Sequence, residues 1–400
     1  MHVFKVAPVL IFQLTSRSMQ YFVKVVTAAA LLVAVLAAAD FIVDEFGLGC
    51  NYGEAYPYQT HAGCYGPAYD RIIDNGGSGP FISLRFLDFR LPSTDYIVLR
   101  SLSTNASVKL YGKDYSGAFD APAIPGEKLH FKLFTHQRRN KSFACVGFRV
   151  SGYTSMLETL PSNESICGGV DRSLDAACYS YNQVMTTRAR AVARLVINKG
   201  GVLSACTGFL LGSGGHFLTN NACLSSSDHA INTRFEFMAQ APGCPTRAGD
   251  IVCTRQLACP GDVWRGNARF ITTNIQLDYT LLLLDKSLAA KFSFLKLRDD
   301  GPIANEPIYI VQHPLAWGKR IADKTTEGKA AVEFLTAKDA AYRLDTQPMS
   351  SGSPVLSTKD HAVVATHHGG AAACPNFGVR SNLIVADMKR QGVLPPDSVA

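Results

Sequence analysis

The sequence predicts an all-β protein made of two domains. Short runs of strand character recur along the chain between turn-rich stretches, and the first long amphipathic helix that we predict is Ile384–Arg390, near the end. Four hundred residues are enough for two hydrophobic cores. Hydrophobic residues make up 47% and charged residues 18% of the chain, which is typical of a globular protein.

The amino terminus predicts a secretory signal peptide over residues 1–39. Val25–Ala39 is apolar, follows Lys24 and ends in small residues, which is the pattern of a cleaved signal. Met19 is an alternative start that leaves a segment of signal-like proportions. An uncleaved signal anchor is the competing interpretation, but the apolar run is short for a bilayer span. We therefore predict a secreted, extracellular protein with no membrane attachment after signal cleavage.

The cysteines agree with export. Eleven of them follow the predicted signal, and the odd count leaves at least one unpaired or in an intermolecular bond. Cys167 and Cys178 are expected to clip the linker that contains them, because a loop this short closes easily. The spacing of Cys244, Cys253 and Cys259 fits no common zinc pattern, so we predict no metal and no other cofactor. Glycosylation sequons support a secreted glycoprotein and begin at Asn105, Asn140 and Asn163.

The charge pattern argues against a nucleic-acid partner. The formal net charge is +7, but the basic residues are scattered and do not alternate with aromatic residues.

The residues after the signal predict an irregular segment followed by a β-sandwich. Residues 40–79 are rich in Gly, Tyr and Pro and contain Cys50 and Cys64, so we expect an irregular, disulfide-clipped stretch. Phe81–Phe89 alternates apolar and polar residues, which is the period of a half-buried strand. Further strands are predicted at residues 96–99, 107–111, 128–134 and 144–150.

This first block resembles a CUB-type jelly roll. The resemblance rests on the aromatic strand at Phe81–Phe89, the run Asp95-Tyr-Ile-Val and the closing run Gly147-Phe-Arg-Val-Ser-Gly-Tyr. It implies a CUB-like β-sandwich over residues 78–155. Some CUB domains bind calcium, and Asp88 and Asp95 are the candidate ligands here. We favour solvent-facing acids at both positions, because calcium takes six or more oxygen ligands.

The second half of the chain again reads as short strands after a linker at Leu157–Arg190. Strands are predicted at residues 191–198, 206–211, 217–220, 234–239, 269–273, 279–285, 308–311, 332–336, 342–345, 354–357 and 362–367.

Several motifs in this half, in order, resemble the trypsin-like serine peptidases. They are Cys206-Thr-Gly-Phe-Leu-Leu-Gly-Ser, Leu218-Thr-Asn-Asn-Ala-Cys, Asp278-Tyr-Thr-Leu-Leu, Ser351-Gly-Ser-Pro and Thr366-His-His-Gly-Gly. The resemblance implies a trypsin-like double β-barrel over residues 190–392, preceded by the CUB-like sandwich. It also implies a disulfide between Cys206 and Cys223.

The resemblance assigns roles to three positions, one of which has lost its chemistry. Ser351 is the predicted nucleophile and Asp278 the predicted acid that orients the general base. The family carries a histidine at the base position, where this chain has Ala222. A serine hydroxyl is a weak nucleophile unless a base takes its proton. His216 and His229 are nearby in sequence and are the alternative bases, although each would need a different backbone path.

The resemblance also predicts the oxyanion hole and the specificity pocket. The backbone amides of Met349 and Ser351 correspond to the oxyanion donors, and the family usually has glycine at the first of these positions. Asp345 lies where trypsin carries the acid that selects Lys and Arg side chains. His367 lies where glutamate-specific relatives carry a ligand for the substrate carboxylate. The sequence leaves these two pocket types open.

Three functions follow as expectations. The first is an inactive homologue that binds a peptide or protein, including protease inhibitors, through the former active-site cleft. The second is an active serine endopeptidase with a non-standard or restored base. The third is a purely structural role.

Overall fold

The computed structural model describes residues 41–50, 52, 55–56, 67–136, 145–158, 164–199, 202–247, 249–264, 266–371 and 374–400. The predicted signal peptide, Cys64 and the sequons at Asn140 and Asn163 lie outside the described residues. Asn105 is exposed in a turn. Among the described helices, none combines the length and the apolar character that a bilayer crossing requires.

The amino-terminal half is a sandwich of two antiparallel sheets. One sheet has the order β1-β9-β3-β6, with β7 paired to β3, and the other has the order β2-β8-β4-β5. The strands are β1 (Phe41–Gly49), β2 (Tyr69–Asp74), β3 (Phe81–Arg90), β4 (Tyr96–Ser101), β5 (Ser107–Tyr111), β6 (Phe119–Asp120), β7 (Ile124–Pro125), β8 (Lys128–Phe134) and β9 (Gly147–Thr154).

Alternating side chains build the core of this sandwich. In β8, Leu129, Phe131 and Leu133 are buried, while the residues between them are more exposed. They face Phe86 and Phe148 of the opposite sheet, and all five belong to one apolar cluster. Because inward-facing residues of both sheets share one core, the arrangement is that of a sandwich.

Two expectations for this half are wrong. Residues 40–79 are not irregular throughout, because β1 and β2 lie within them and belong to the two sheets. Asp88 and Asp95 are not solvent-facing: both are buried and accept hydrogen bonds from the hydroxyls of Tyr52 (2.7 Å) and Tyr56 (2.8 Å) respectively. Burying a carboxylate requires such donors, and the tyrosines supply them.

The carboxy-terminal half is the trypsin-like double β-barrel. Its helices are α1 (Gln183–Arg190), α2 (Ser227–Ile231), α3 (Ser287–Phe292) and α4 (Ser381–Gln391), with 3₁₀ turns at Ala176–Tyr179 and Pro314–Ala316. Its strands are β10 (Leu174–Asp175), β11 (Val192–Lys199), β12 (Val202–Leu211), β13 (His216–Thr219), β14 (Thr233–Phe237), β15 (Asp262–Trp264), β16 (Arg269–Asn274), β17 (Tyr279–Leu283), β18 (Ile308–Gln312), β19 (Arg320–Ala322), β20 (Lys324–Thr325), β21 (Gly328–Lys329), β22 (Val332–Leu335), β23 (Asp339–Tyr342), β24 (Pro354–Ser357), β25 (Val363–Gly370) and β26 (Asn376–Arg380).

Each barrel derives from one antiparallel sheet. The first has the order β15-β14-β11-β12-β13-β17-β16, and the second has the order β10-β19-β18-β24-β25-β26-β23-β22. Strands β11 and β12 are buried along most of their length, including polar residues such as Arg194 and Thr207, so their burial does not alternate. The predicted helix near the carboxy terminus is confirmed as α4, whereas α1 was expected to be linker.

The sandwich packs directly against the first barrel and the turn that holds Ser351. Phe81 of β3 and Leu157 share an apolar cluster with Val196, Leu203 and Met349. The side chain of Asp120 accepts hydrogen bonds from Arg85 of the sandwich and from Asn198 of the barrel. Contacts of this kind tie the amino-terminal half to the nucleophile turn.

The disulfides correct one sequence prediction and confirm another. Cys206 pairs with Cys223, as the family resemblance implies. The local Cys167–Cys178 clip is wrong: Cys167 pairs with Cys374 across 207 residues, and Cys178 pairs with Cys244. The folded barrels bring these partners together, which outweighs the entropic preference of the unfolded chain for short loops. The remaining bonds are Cys50–Cys145 and Cys253–Cys259.

Candidate functional site

Ser351 lies on a tight turn before β24 that is anchored to strand β12. The amide of Thr207 donates to the carbonyl of Ser351 (3.0 Å), and the amide of Gly352 donates to the carbonyl of His367 (2.9 Å). Gly352 has φ of 90°, and an added Cβ would lie 2.1 Å from the carbonyl oxygen of Thr207. Only glycine fits there, so Gly352 allows this turn to pack against the buried strand β12.

Asp278 lies at the start of β17 and faces the backbone of the Ala222 segment. The amide of Ala222 donates to its Oδ1 (2.9 Å), and the side chain of Asn220 donates to its carbonyl (2.6 Å). Burial raises the pKa of the Asp278 carboxyl above its ordinary value, and the hydrogen bond from Ala222 opposes that shift. The carboxylate is therefore held by the backbone of the residue that would carry the base.

No histidine of the described residues joins Asp278 to Ser351. Ala222 is exposed and ends in a methyl group, which cannot accept a proton. His216 lies in β13 beside Gly214, and burial lowers its pKa. His229 lies in α2, where its Nδ1 is 3.4 Å from the hydroxyl of Ser225. Neither of these alternative bases hydrogen-bonds to Ser351 or Asp278.

His368 is an imidazole near Asp278 that sequence reasoning did not single out. Its Nδ1 is 4.0 Å from Oδ2 of Asp278, and its Nε2 is 2.9 Å from Oδ1 of Asp339. The ring is therefore hydrogen-bonded to Asp339 through Nε2, whereas its Nδ1 is too far from Asp278 for a hydrogen bond. A general base must contact the nucleophile, and the hydroxyl of Ser351 is hydrogen-bonded to Glu164 and not to this ring.

Glu164 makes the contact with Ser351 that a base would make. The hydroxyl of Ser351 donates to Oε1 of Glu164 at 2.6 Å, and the Glu164 side chain has 0% exposure. Its second oxygen, Oε2, is buried and has no hydrogen-bond partner among the described residues. Sequence reasoning missed this residue because nothing in its local pattern connects the linker with the nucleophile turn.

His367 lies close to the Glu164 carboxylate but is not hydrogen-bonded to it. Its Nε2 is 3.6 Å from Oε1 of Glu164, and its Nδ1 is 2.8 Å from the hydroxyl of Tyr342. Burial, followed by the nearby Glu164 carboxylate, raises the pKa of Tyr342 well above its ordinary value. The hydroxyl of Tyr342 therefore stays protonated.

The carboxylate of Asp345 is hydrogen-bonded to the linker that contains Glu164. Its Oδ1 accepts the amide of Cys167 (2.7 Å) and its Oδ2 accepts the amide of Arg172 (2.8 Å). Burial raises the pKa of this carboxyl, and the two amide hydrogen bonds counteract the shift. With both oxygens engaged and 2% of the residue exposed, Asp345 holds the linker in place.

Met349 is at the predicted oxyanion position, and its side chain packs in an apolar cluster. It has φ of 78°, a conformation in which glycine is favoured, and it is 5% exposed. Its carbonyl accepts the hydroxyl of Thr207 at 3.1 Å, and its side chain enters the apolar cluster that contains Phe81 and Leu157. That burial offsets the backbone strain.

In the part of the chain that the structure describes, no group of three or more His, Cys, Asp or Glu side chains converges on one point. Cys244, Cys253 and Cys259 are all in disulfides.

Comparisons with known proteins give two strong similarities. Residues 171–382 match the sequence model of a family described as "Lysyl endopeptidase, C-terminal domain". Over 371 residues the chain is 39% identical to Secreted RxLR effector protein 73 of Plasmopara viticola, covering 89% of this chain and 90% of that protein.

Solved structures resemble the chain more distantly. A serine endoprotease from Yersinia pestis aligns at 12% identity and a TM-score of 0.40, over 54% of this chain and 66% of that one. A Glu endopeptidase in complex with MPD aligns at 15% identity and a TM-score of 0.40, over 57% of this chain and 99% of that one.

Proposed function

Because the chain belongs to the family of the lysyl endopeptidase C-terminal domain, we propose that it is a secreted peptidase homologue that binds peptide or protein segments without hydrolysing them. The observation that carries the proposal is the missing imidazole between Asp278 and Ser351. Loss of one member of a Ser-His-Asp unit costs about a millionfold in turnover. The turnover of a chain with Ala222 at the base position is therefore far below that of a working peptidase.

An unpaired strand edge supports peptide binding. Strand β25 pairs with β26 through Gly370, whereas its pairing with β24 ends at Thr366. Residues 368–370 therefore have one edge without a strand partner among the described residues. A Cβ added at Gly369 would meet no atom within 4 Å, so the sheet face is uncovered at this position. Extended peptides bind to such edges by strand addition, which requires no general base.

Secretion is part of the proposal. The relative from Plasmopara viticola is named as a secreted protein, and it aligns with 89% of this chain. Disulfides among the described residues fit an oxidising compartment. Mass spectrometry of exported material tests this, with an amino terminus at Asp40 as the expected result and retention of residues 25–39 as the contrary one.

Titration calorimetry with the full chain tests the binding function. The ligands are inhibitors with an extended reactive-site loop and unstructured peptides, and mass spectrometry follows the same mixtures for cleavage. We expect binding in the micromolar range, about −8 kcal/mol, with intact ligands afterwards. Ser351→Ala, which lacks the nucleophile, is the matched control for cleavage. Cleavage products that accumulate with the wild type but not with this control would overturn the proposal.

The contact between Glu164 and Ser351 favours one second candidate, a peptidase that uses a carboxylate as its base. An ordinary glutamate is a weaker base than imidazole by about a hundredfold. The Glu164 carboxylate is also enclosed, which leaves little room for a substrate carbonyl. This candidate predicts cleavage that Glu164→Gln abolishes, whereas the binding function predicts no cleavage by either protein.

A further inference from the structure

The sheet β2-β8-β4-β5 of the sandwich has one face in the core and one face turned away from it. Ile97 and Leu99 of β4 are buried in the apolar core, so the residues that alternate with them lie on the outer face. On that face the strand register places Tyr96 between Tyr111 of β5 and Phe134 of β8. The ring centroid of Tyr96 is 4.9 Å from that of Tyr111 and 5.0 Å from that of Phe134. An aromatic row therefore crosses three strands.

Basic side chains lie directly beside this aromatic row. Two positions further along β4, the register aligns Lys109 of β5 and Lys132 of β8 on either side of the strand. Nζ of Lys109 is 5.1 Å from the ring centroid of Tyr96, and Nζ of Lys113, in the turn after β5, is 5.4 Å from that of Tyr111. Strand pairing thus brings together basic and aromatic residues that are scattered along the sequence. Each lysine rests on a ring and keeps ammonium hydrogens for another partner.

The positive charge on this face is concentrated toward β5. On the side of β2, the carboxylate of Asp70 contacts His130 and Lys132. Three exposed cations nearer β5 make no ion pair with a carboxylate of the described residues: Arg100, Lys109 and Lys113. Because their charge is not compensated, this half of the face attracts anions.

A polar cavity of about 390 Å³ opens at the Arg100 end of the same face. Its walls include the side chains of Arg100 and His130 and the turn between β4 and β5, which contributes Ser103 and Thr104. Hydroxyl groups donate and accept hydrogen bonds, and a guanidinium group donates them. The cavity therefore suits a ligand that carries hydroxyl groups and negative charge and has no apolar body.

We propose that the outer face of β4 and β5 binds an acidic polysaccharide, a chain of sugars that carry carboxylate or sulfate groups. Lys109, Lys113 and Arg100 contact the anionic groups, and the hydroxyl-lined cavity takes one sugar. This site uses no residue of the cleft beside Ser351, so it is a second binding function, separate from the proposed peptide binding.

The geometry favours this ligand over two other polyanions. A single-stranded nucleic acid binds by stacking its bases on free ring faces. The ring of Tyr96 lies between those of Tyr111 and Phe134 and is stacked on the latter with 16° between the planes, so its faces are covered. An acidic peptide needs pockets that anchor large side chains, whereas the cavity at Arg100 is lined mainly by polar groups.

Fluorescence anisotropy with the full chain tests the proposal. The labelled probes are oligogalacturonate, which carries carboxylates, and dextran sulfate, with neutral dextran, single-stranded DNA and polyglutamate for comparison. All proteins are produced without N-glycans, because the predicted glycosylation site at Asn105 also lines the cavity. We expect the wild type to bind at least one of the two acidic polysaccharides, to bind it more tightly than DNA or polyglutamate, and not to bind dextran. Which of the two is bound identifies the anionic group.

Two variants locate the site. Lys109→Gln combined with Lys113→Gln removes the cations beside the rings and should weaken polysaccharide binding by about tenfold, with a smaller dependence on salt. Arg100→Gln removes the charge at the cavity and should also weaken binding. The charge-matched control is Lys324→Gln combined with Lys329→Gln, since both are exposed lysines of the β20–β21 hairpin in the carboxy-terminal half. The control should bind like the wild type.

Three results would overturn the proposal. Equal losses in the Lys109/Lys113 double variant and in the control would mean that net charge alone is responsible. Equally tight binding of DNA or polyglutamate, lost in the same double variant, would exclude a polysaccharide as the specific ligand. Failure of the wild type to bind either acidic polysaccharide would exclude it directly. Unchanged affinity of Arg100→Gln would remove the cavity from the site.

Discussion

The hydroxyl of Ser351 donates a 2.6 Å hydrogen bond to the carboxylate of Glu164, a residue of the linker 187 positions earlier in the chain. The hydroxyl proton of Ser351 points at Glu164, and the Glu164 side chain covers the hydroxyl. The contact therefore adds a second obstacle to hydrolysis, independent of the missing histidine.

We predict that Ala222→His combined with Glu164→Ala restores measurable peptide cleavage. Asp278 already faces this position, since it accepts the amide of Ala222, and an imidazole there would complete the unit. Ala222→His alone should recover less, because Glu164 still holds Ser351. Cleavage of a fluorogenic peptide library measures both variants, and Ala222→His with Ser351→Ala is the control. An inert double variant that folds with its disulfides intact would mean that more than these two positions has changed.

At position 349 we expect the glycine variant to be more stable than the alanine variant, whereas alanine is usually the more stabilising of the two. Either substitution removes a buried side chain from the cluster with Phe81 and Leu157, at a cost of about 2–5 kcal/mol for alanine. Alanine keeps the strain of φ at 78°, whereas glycine does not, so Met349→Gly should be about 1 kcal/mol more stable than Met349→Ala. Urea unfolding of the three proteins gives the comparison. A less stable glycine variant would argue against strain at this turn.

Lys319 should make stability depend on pH above neutrality. Burial lowers its pKa to about 7, and its Nζ donates to the carbonyl of Ala189 at 2.7 Å. Between about pH 7 and pH 10 the unfolded lysine keeps a proton that the folded one has released. The free energy of unfolding therefore rises with pH in this window, by at most about 1.4 kcal/mol per pH unit.

Lys319→Met removes this titration. In urea unfolding, the free energy of unfolding of the variant relative to that of the wild type should be higher at pH 7 than at pH 9. Lys359→Met, at an exposed lysine, is the control and should follow the wild type. Identical pH slopes for wild type and Lys319→Met would contradict the prediction.

The Cys167–Cys374 bond should matter more for stability than the Cys253–Cys259 bond. The first spans 207 residues and the second spans 6, so the chain-entropy model assigns them about 5 and about 2 kcal/mol. Thermal unfolding of the two serine variants measures the losses; equal losses of stability for both bonds would be inconsistent with this account.

The sequence predicted those parts of the molecule that depend on local pattern. The alternation in Lys128–Phe134 gave a strand with one buried face, and the chain order of Ala222, Asp278 and Ser351 led to the barrel fold. Strand β1 was missed because its residues do not alternate cleanly between buried and exposed positions. Local spacing also favoured a short Cys167–Cys178 loop, whereas both cysteines pair with distant partners.

The contacts of Glu164 could not be predicted in this way. They depend on where two distant parts of the folded barrel meet, and a single sequence contains no local signal for a contact across 187 residues. Knowledge of the Cys167–Cys374 bond would have been sufficient to bring the linker to the pocket, since Glu164 is three residues before Cys167. Met349 likewise looked like a defect of the oxyanion hole, whereas its side chain packs between the sandwich and the barrel.

Labelling by a serine-directed fluorophosphonate tests the central claim, that Ser351 lacks a general base. Wild type, Glu164→Ala, Ser351→Ala, and the variant with Ala222→His and Glu164→Ala are compared at neutral pH. The Glu164→Ala protein separates a missing base from a covered nucleophile. We predict that only the variant with the restored histidine reacts faster than Ser351→Ala. Rapid, stoichiometric labelling of Ser351 in the wild type or in Glu164→Ala would contradict the account.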